Sequence, residues 1–253
     1  MSHIRWYVIR SLKTYRADFF ISGEFMIKKL TNYFTLTEKL LWCFSVVAII
    51  MVFVIFDRGN ILSLIASLTG VSSLILCAKG NPTGQVLMVI FSTMYGIISF
   101  TFGYYGEVIT YLCMTMPMSV YALICWLKNP YENNKSEVKV SSIGKTDFII
   151  LPITTVLITV ILYFVLRHFG TENLLPSTVS VATSFVAVYL TARRSPFFAL
   201  AYAINDIVLI ILWILASFEN TSYLSVTVCF AVFFINDIYG FISWNRMKRR
   251  QNG

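Results

Sequence analysis

Eight apolar stretches, each near the length of a membrane-spanning helix, divide this chain, and short polar breaks separate them. They lie near 40–56, 61–78, 84–102, 107–127, 148–168, 177–192, 197–217 and 223–244. A hydrocarbon core about 30 Å thick needs roughly 20 apolar residues of helix. Inside it a backbone must satisfy its own N–H and C=O groups, which a helix does. The pattern therefore predicts an all-α polytopic membrane protein. Only 13% of the 253 residues are charged and 57% are hydrophobic, whereas a soluble domain is about a quarter charged. Gly and Pro punctuate the breaks, as in Lys79-Gly80-Asn81-Pro82, Gly103-Tyr104-Tyr105-Gly106 and Arg193-Arg194-Ser195-Pro196, where the chain must turn.

The net charge of +8 reads as orientation in the bilayer rather than nucleic-acid binding. Taking alternate loops, one side receives seven Lys/Arg in 1–39, Lys79, four lysines in 128–147, Arg193 and Arg194, and four in the C-terminal tail. Of the twenty Lys/Arg, only Arg58 and Arg167 fall on the other side. The positive-inside rule then predicts a multi-pass protein with both termini cytoplasmic. Residues 1–39 interleave bases with Trp6, Tyr7, Leu12 and Tyr15, which fits a basic interfacial helix or a flexible tail. No long apolar core follows the early bases, so no secretory signal is expected.

A weak internal repeat orders the segments. Lys79-Gly80-Asn81-Pro82 corresponds to Arg193-Arg194-Ser195-Pro196, and Tyr121-Ala122 with Trp126 corresponds to Tyr239-Gly240 with Trp244. Segments two to four thus resemble six to eight. An even number of crossings separates equivalent segments, so the two triplets run in the same direction, as in transporters with parallel repeats. The predicted architecture is two parallel three-helix bundles (61–127 and 177–245) joined by a linker helix (148–168). An extra transmembrane helix at 40–56 follows the basic segment 1–39.

Candidate functional residues stand out by their cost. Asn205-Asp206-Ile207 precedes Trp213, and Asn236-Asp237-Ile238 precedes Trp244, at the same spacing. A carboxylate inside a span is expensive and points to function. Seven residues make nearly two helical turns, so each Asp shares a face with its Trp. Amides, carboxylates and an indole suit a flat, polar, cationic ligand. Trp244, beside the basic tail, is expected to be an interfacial anchor. Gln85, Tyr95 and Tyr121 in the first bundle, and Tyr239 in the second, complete the candidate binding set. The Ser and Thr residues of the spans, Thr69, Ser72, Ser73, Thr93, Thr183 and Ser184, are expected mainly to bond their own backbones. Pro117 is expected to kink its helix, and Glu107 to cap a helix start.

Other classes leave little trace. The two histidines, His3 and His168, sit at the margins, and no nucleophile pair, zinc spacing or phosphate loop occurs, so neither enzyme, metal nor cofactor is expected. The five cysteines lie in or at the ends of apolar stretches and read as small apolar filler.

Longer strings bear a resemblance. GNPTGQVLMVIFSTMYGIISFTFGYYGEVITYLCMTMPMSVYALICWLKNP resembles the first bundle of the PnuC vitamin transporters, and TARRSPFFALAYAINDIVLIILW with INDIYGFISW resembles the second. The likeness covers about 60–250. It implies a SWEET-like fold in a bacterial inner membrane and a small-molecule substrate, nicotinamide riboside. It also implies facilitated diffusion, with a cytoplasmic kinase trapping the product. Related carriers take thiamine, riboflavin or deoxynucleosides. A proton-coupled carrier and a non-transporting receptor or scaffold are the other readings, and a homo-oligomer is left open.

Overall fold

The computed structural model describes residues 32–101, 103–132, 134–171 and 173–253. Most of the basic segment 1–39 therefore lies outside the described residues. Among those described, eight helices are long and apolar enough to span a membrane. They are α1 (Leu36–Phe56), α2 (Ile61–Ala78), α3 (Pro82–Thr101), α4 (Tyr105–Lys128), α5 (Asp147–His168), α6 (Leu174–Ala192), α7 (Phe197–Ser217) and α8 (Leu224–Asn252). A short hairpin, β1 (Pro130–Tyr131) with β2 (Asn134–Val138), follows α4. Of the described residues, 32–41 fall in one compact unit and 42–253 in another. In the first, Thr35 and Glu38 cap α1 reciprocally: the Thr35 N–H donates to Glu38 Oε2 at 2.7 Å, and the Glu38 N–H to Thr35 Oγ1 at 3.3 Å.

The second unit holds the repeat. Contacts run α2–α3–α4 and α6–α7–α8, and then close through α4 with α6 and α8 with α2. Six helices thus form a ring of two bundles in the same orientation. The linker α5 packs on α6, and only 6% of its apolar stretch is buried, as for a helix facing lipid.

The turns repeat as well. After α2, Gly80 is left-handed (φ 66°), with Gly80 N–H donating to Cys77 O and Asn81 N–H to Leu76 O. After α6, Arg194 is left-handed (φ 59°), with Arg194 N–H donating to Thr191 O and Ser195 N–H to Leu190 O. Both are Schellman-type caps. Glycine takes that conformation freely, whereas arginine does so at a steric cost. The stretch 138–141 bonds both caps: Val138 N–H donates to Gly80 O, and Ser141 N–H to Arg194 O, each at 2.9 Å. Gln251 at the end of α8 holds the same stretch, accepting from Val140 N–H at 2.7 Å and donating to Val138 O at 3.1 Å. The loop 128–147 is therefore a strap across one end of both bundles.

Beneath the strap sits a tryptophan brace. Trp126 of the first bundle donates to Thr191 O of the second at 3.0 Å. Trp244 of the second donates to Cys77 O of the first at 2.7 Å. The two rings meet at 5.3 Å, and both are fully buried. This corrects the reading of Trp244 as an interfacial anchor. Its N–H has no water to reach, so it satisfies a carbonyl across the bundle interface.

Candidate functional site

The two larger apolar clusters lie toward opposite ends of the ring, and a small third one holds Met114, Phe185 and Val188. The strap-end cluster contains Trp126, Phe198, Trp244 and Met247, and the other contains Phe91, Tyr95, Tyr111, Trp213, Phe230 and Phe233. On α7 and α8, the Asn-Asp pairs fall between these clusters in the chain. All four residues are buried, at 2–5% exposure.

Asp206 of α7 and Asp237 of α8 lie close enough for their carboxyl groups to interact. Asn205 is oriented by α6: its Oδ1 accepts from Thr183 Oγ1 at 2.8 Å and Ser184 Oγ at 2.9 Å. Asn236 donates through Nδ2 to Ser45 Oγ of α1 at 3.0 Å and to Val232 O at 2.8 Å. Gln85 donates to Cys77 Sγ at 3.3 Å. Thr69, Ser72 and Thr93 bond their own helix carbonyls, as expected, whereas Ser73 reaches across to Gly84 O.

Next to this layer stands an aromatic wall. Tyr95 packs on Tyr111 at 4.5 Å, Phe91 at 5.5 Å, Phe230 at 5.6 Å and Trp213 at 6.3 Å. Trp213 also meets Tyr104 at 4.9 Å and Tyr223 at 5.6 Å. Two local features let these rings converge. At Gly70 a Cβ would lie 2.4 Å from the Phe233 ring and 3.0 Å from Phe91, so only glycine lets α2 come so close. Within α4, Ile109–Thr115 is a π-helical segment, with Met116 N–H reaching back to Tyr111 O. Pro117 follows it. A proline ring would clash with the carbonyl four residues back in an α-helix, and the wider turn relieves this. The π-helical segment stands where the sequence leads one to expect a kink, and its Tyr111 lies 4.5 Å from Tyr95.

Several buried polar atoms among these groups have no hydrogen-bond partner: Tyr95 OH, Glu107 Oε2, Thr110 Oγ1, Asp206 Oδ2, Trp213 Nε1 and Asn236 Oδ1. Tyr95 OH and Trp213 Nε1 face each other without hydrogen-bond geometry. Each such atom costs about 1–3 kcal/mol when buried unpaired. Native proteins keep few of them, and those they keep call for an explanation. A set of donors and acceptors beside aromatic faces is the surface a flat polar ligand would complete.

Residues 60–246 match the family described as Nicotinamide mononucleotide transporter. The chain belongs to this family. Among curated relatives, the Nicotinamide riboside transporter PnuC of Neisseria mucosa is 25% identical over 217 residues, covering 84% of this chain and 82% of that one. A crystal structure of the vitamin B3 transporter PnuC superposes with a TM-score of 0.76, at 23% identity, over 86% of this chain and 94% of that chain. The protein is thus a multi-pass membrane transporter of PnuC type, with the fold of that structure.

In this PnuC-type frame the candidates from sequence separate into groups. Asn205, Asp206, Asn236, Asp237, Trp213, Tyr95 and Gln85 are all buried inside the ring. Tyr239 is half-buried. Tyr121 is 55% exposed on α4, so it faces outward, apart from the others. Glu107 was missed. It lies near an end of its apolar segment and reads as a cap, yet it is 1% exposed. Its Oε1 accepts from Ser180 Oγ of α6 at 3.4 Å. The neighbouring Gly106 explains this placement: a Cβ there would press on Leu166, Ser177 and Thr171 at 3.3 Å, so α4 lies close against α5 and α6.

Proposed function

We propose that the protein carries nicotinamide riboside across a bacterial inner membrane by facilitated diffusion, through a site near the midplane between the two bundles. Both termini face the cytoplasm in this reading, and a cytoplasmic kinase phosphorylates the riboside and so retains it. The observation that carries the reading is the set of buried, unpartnered polar atoms between the bundles, in a chain of the PnuC family. Trp213 Nε1, Asn236 Oδ1 and Asp206 Oδ2 supply one donor and two acceptors, a pattern that matches a carboxamide and ribose hydroxyls. The faces of Trp213 and Tyr95 suit a pyridinium ring through stacking and cation–π attraction. The curated relative named for nicotinamide riboside agrees with this chemistry.

Calorimetric titration of the purified protein with nicotinamide riboside, thiamine, riboflavin and a deoxynucleoside tests the substrate. Binding of the riboside alone is expected, and preference for another ligand replaces it as substrate. The Asp206–Asp237 pair offers a proton site, which favours proton coupling as the second reading. Uptake in cells lacking the kinase should be insensitive to an uncoupler if transport is facilitated diffusion, and should fall if protons drive it.

A further inference from the structure

We infer that Glu107 is the residue that selects for positive charge on the substrate's ring. The inference rests on the substrate reading above and adds a residue that the Asn-Asp strings did not suggest. Glu107 projects from the first turn of α4 into the seam where α4 meets α6. It is 1% exposed. Its Oε1 has a long contact to Ser180 and its Oε2 has none. Thr110 Oγ1, one helical turn along α4, is also buried and unpartnered, and Tyr95 and Tyr111 lie within electrostatic reach. An unpartnered carboxyl oxygen and hydroxyl near tyrosine side chains are groups that suit a flat organic cation.

The other two buried acids between the bundles differ from it. Asp206 and Asp237 lie within electrostatic reach of each other, so each has a second acid as a neighbour. Glu107 has no basic partner in any ion pair among the described residues. A carboxylate sealed there without a countercharge is costly, and the cost is relieved when a cation enters. A neutral ring of the same shape fills the aromatic space but leaves the carboxyl group uncompensated. Glu107 is therefore placed to tell a pyridinium from its uncharged counterpart.

The test compares two ligands of one skeleton on the full-length purified protein: nicotinamide riboside, which is cationic, and its neutral 1,4-dihydro form. The parent is expected to prefer the cation. Glu107→Gln keeps size and the contact to Ser180 while removing the charge. It should reduce the preference by roughly tenfold or more, through weaker binding of the cation, because hydrogen bonds and pairs to charged groups are the strong ones. Affinity for the neutral form should change little. If both forms bind the parent and the Gln variant keeps the full preference, the inference is wrong while the substrate reading stands. An equal loss for both ligands also overturns it, since that outcome describes a polar contact blind to charge. If the parent binds neither form, the substrate reading falls and the inference falls with it. Should the Gln variant fail to elute as a monodisperse species, Glu107→Asp replaces it. That variant retains the charge and should retain the preference, and its loss there counts against the proposal.

Discussion

Trp244 and Trp126 show how little a single residue's place in the sequence decides about its role. Both stand close to basic residues at a helix end, where tryptophan commonly anchors at the membrane surface. Both are instead buried and donate across the bundle interface to Cys77 O and Thr191 O. Replacing Trp244 by Phe would keep much of the ring but remove one of the two hydrogen bonds to the Cys77 carbonyl, which also accepts from Gly80 N–H. A loss of about 0.5–1.5 kcal/mol is expected, read as a lower melting temperature in detergent, and no change in melting would disprove the brace. Asn205 behaves differently. Its Oδ1 is already engaged by Thr183 and Ser184, which leaves the Nδ2 group for a ligand. Asn205→Ala should weaken riboside binding by about 0.5–1.5 kcal/mol, measured by titration. An unchanged affinity would remove Asn205 from the site. The Asn-Asp strings were legible because acids in spans are rare. Glu107 was not, because its burial depends on how α4 meets α6, which no local pattern encodes.

At the scale of elements, the apolar periods and Gly/Pro breaks sufficed to find the eight spanning helices among the described residues. They gave no warning of the π-helical segment in α4, although Pro117 supplies its physical cause. Nor did they show that the polar loop 128–147 straps both bundles. That loop is hydrophilic throughout its first half, and its order comes from distant partners: Gly80, Arg194 and Gln251. Gln251→Ala should release the strap by removing bonds to Val140, Val138 and Glu137. Faster amide exchange over 138–141 is the expected signature, and unaltered protection would mean that the caps alone hold it. The close packing of α2 makes a second prediction. Gly70→Ala would push a methyl group into the Phe233 ring, and overpacking of this kind costs about 1–3 kcal/mol. Because Phe233 backs the aromatic wall, riboside affinity should fall together with thermal stability. Loss of neither would show that the wall can yield.

For the molecule as a whole, the repeat explains why a chain with few obvious motifs could be read. Short strings at offsets of 114 and 118 positions, such as Lys79-Gly80-Asn81-Pro82 and Tyr239 to Trp244, mark the same turns and the same brace in each bundle. Parallel repeats follow from the even number of crossings between them. The polar groups do not follow the repeat: Asn205, Asp206, Asn236 and Asp237 all lie in the second bundle, while Tyr95, Glu107 and Tyr111 come from the first. The two halves thus contribute different chemistry, carboxylates and amides facing rings and a lone acid, to one shared interior. That division suits the proposed asymmetric ligand, with a charged ring at one end and a sugar at the other. The central claim is that the unpartnered atoms between the bundles belong to the substrate. A structure determined with nicotinamide riboside bound tests it most directly. The account predicts the ring against Trp213 and Tyr95, with hydrogen bonds to Trp213 Nε1, Asn236 Oδ1 or Asp206 Oδ2. Riboside bound elsewhere, for example in the groove of about 350 Å³ lined by Ile65, Leu68, Thr69, Ser72 and Leu87, with those atoms still unpaired, would contradict it.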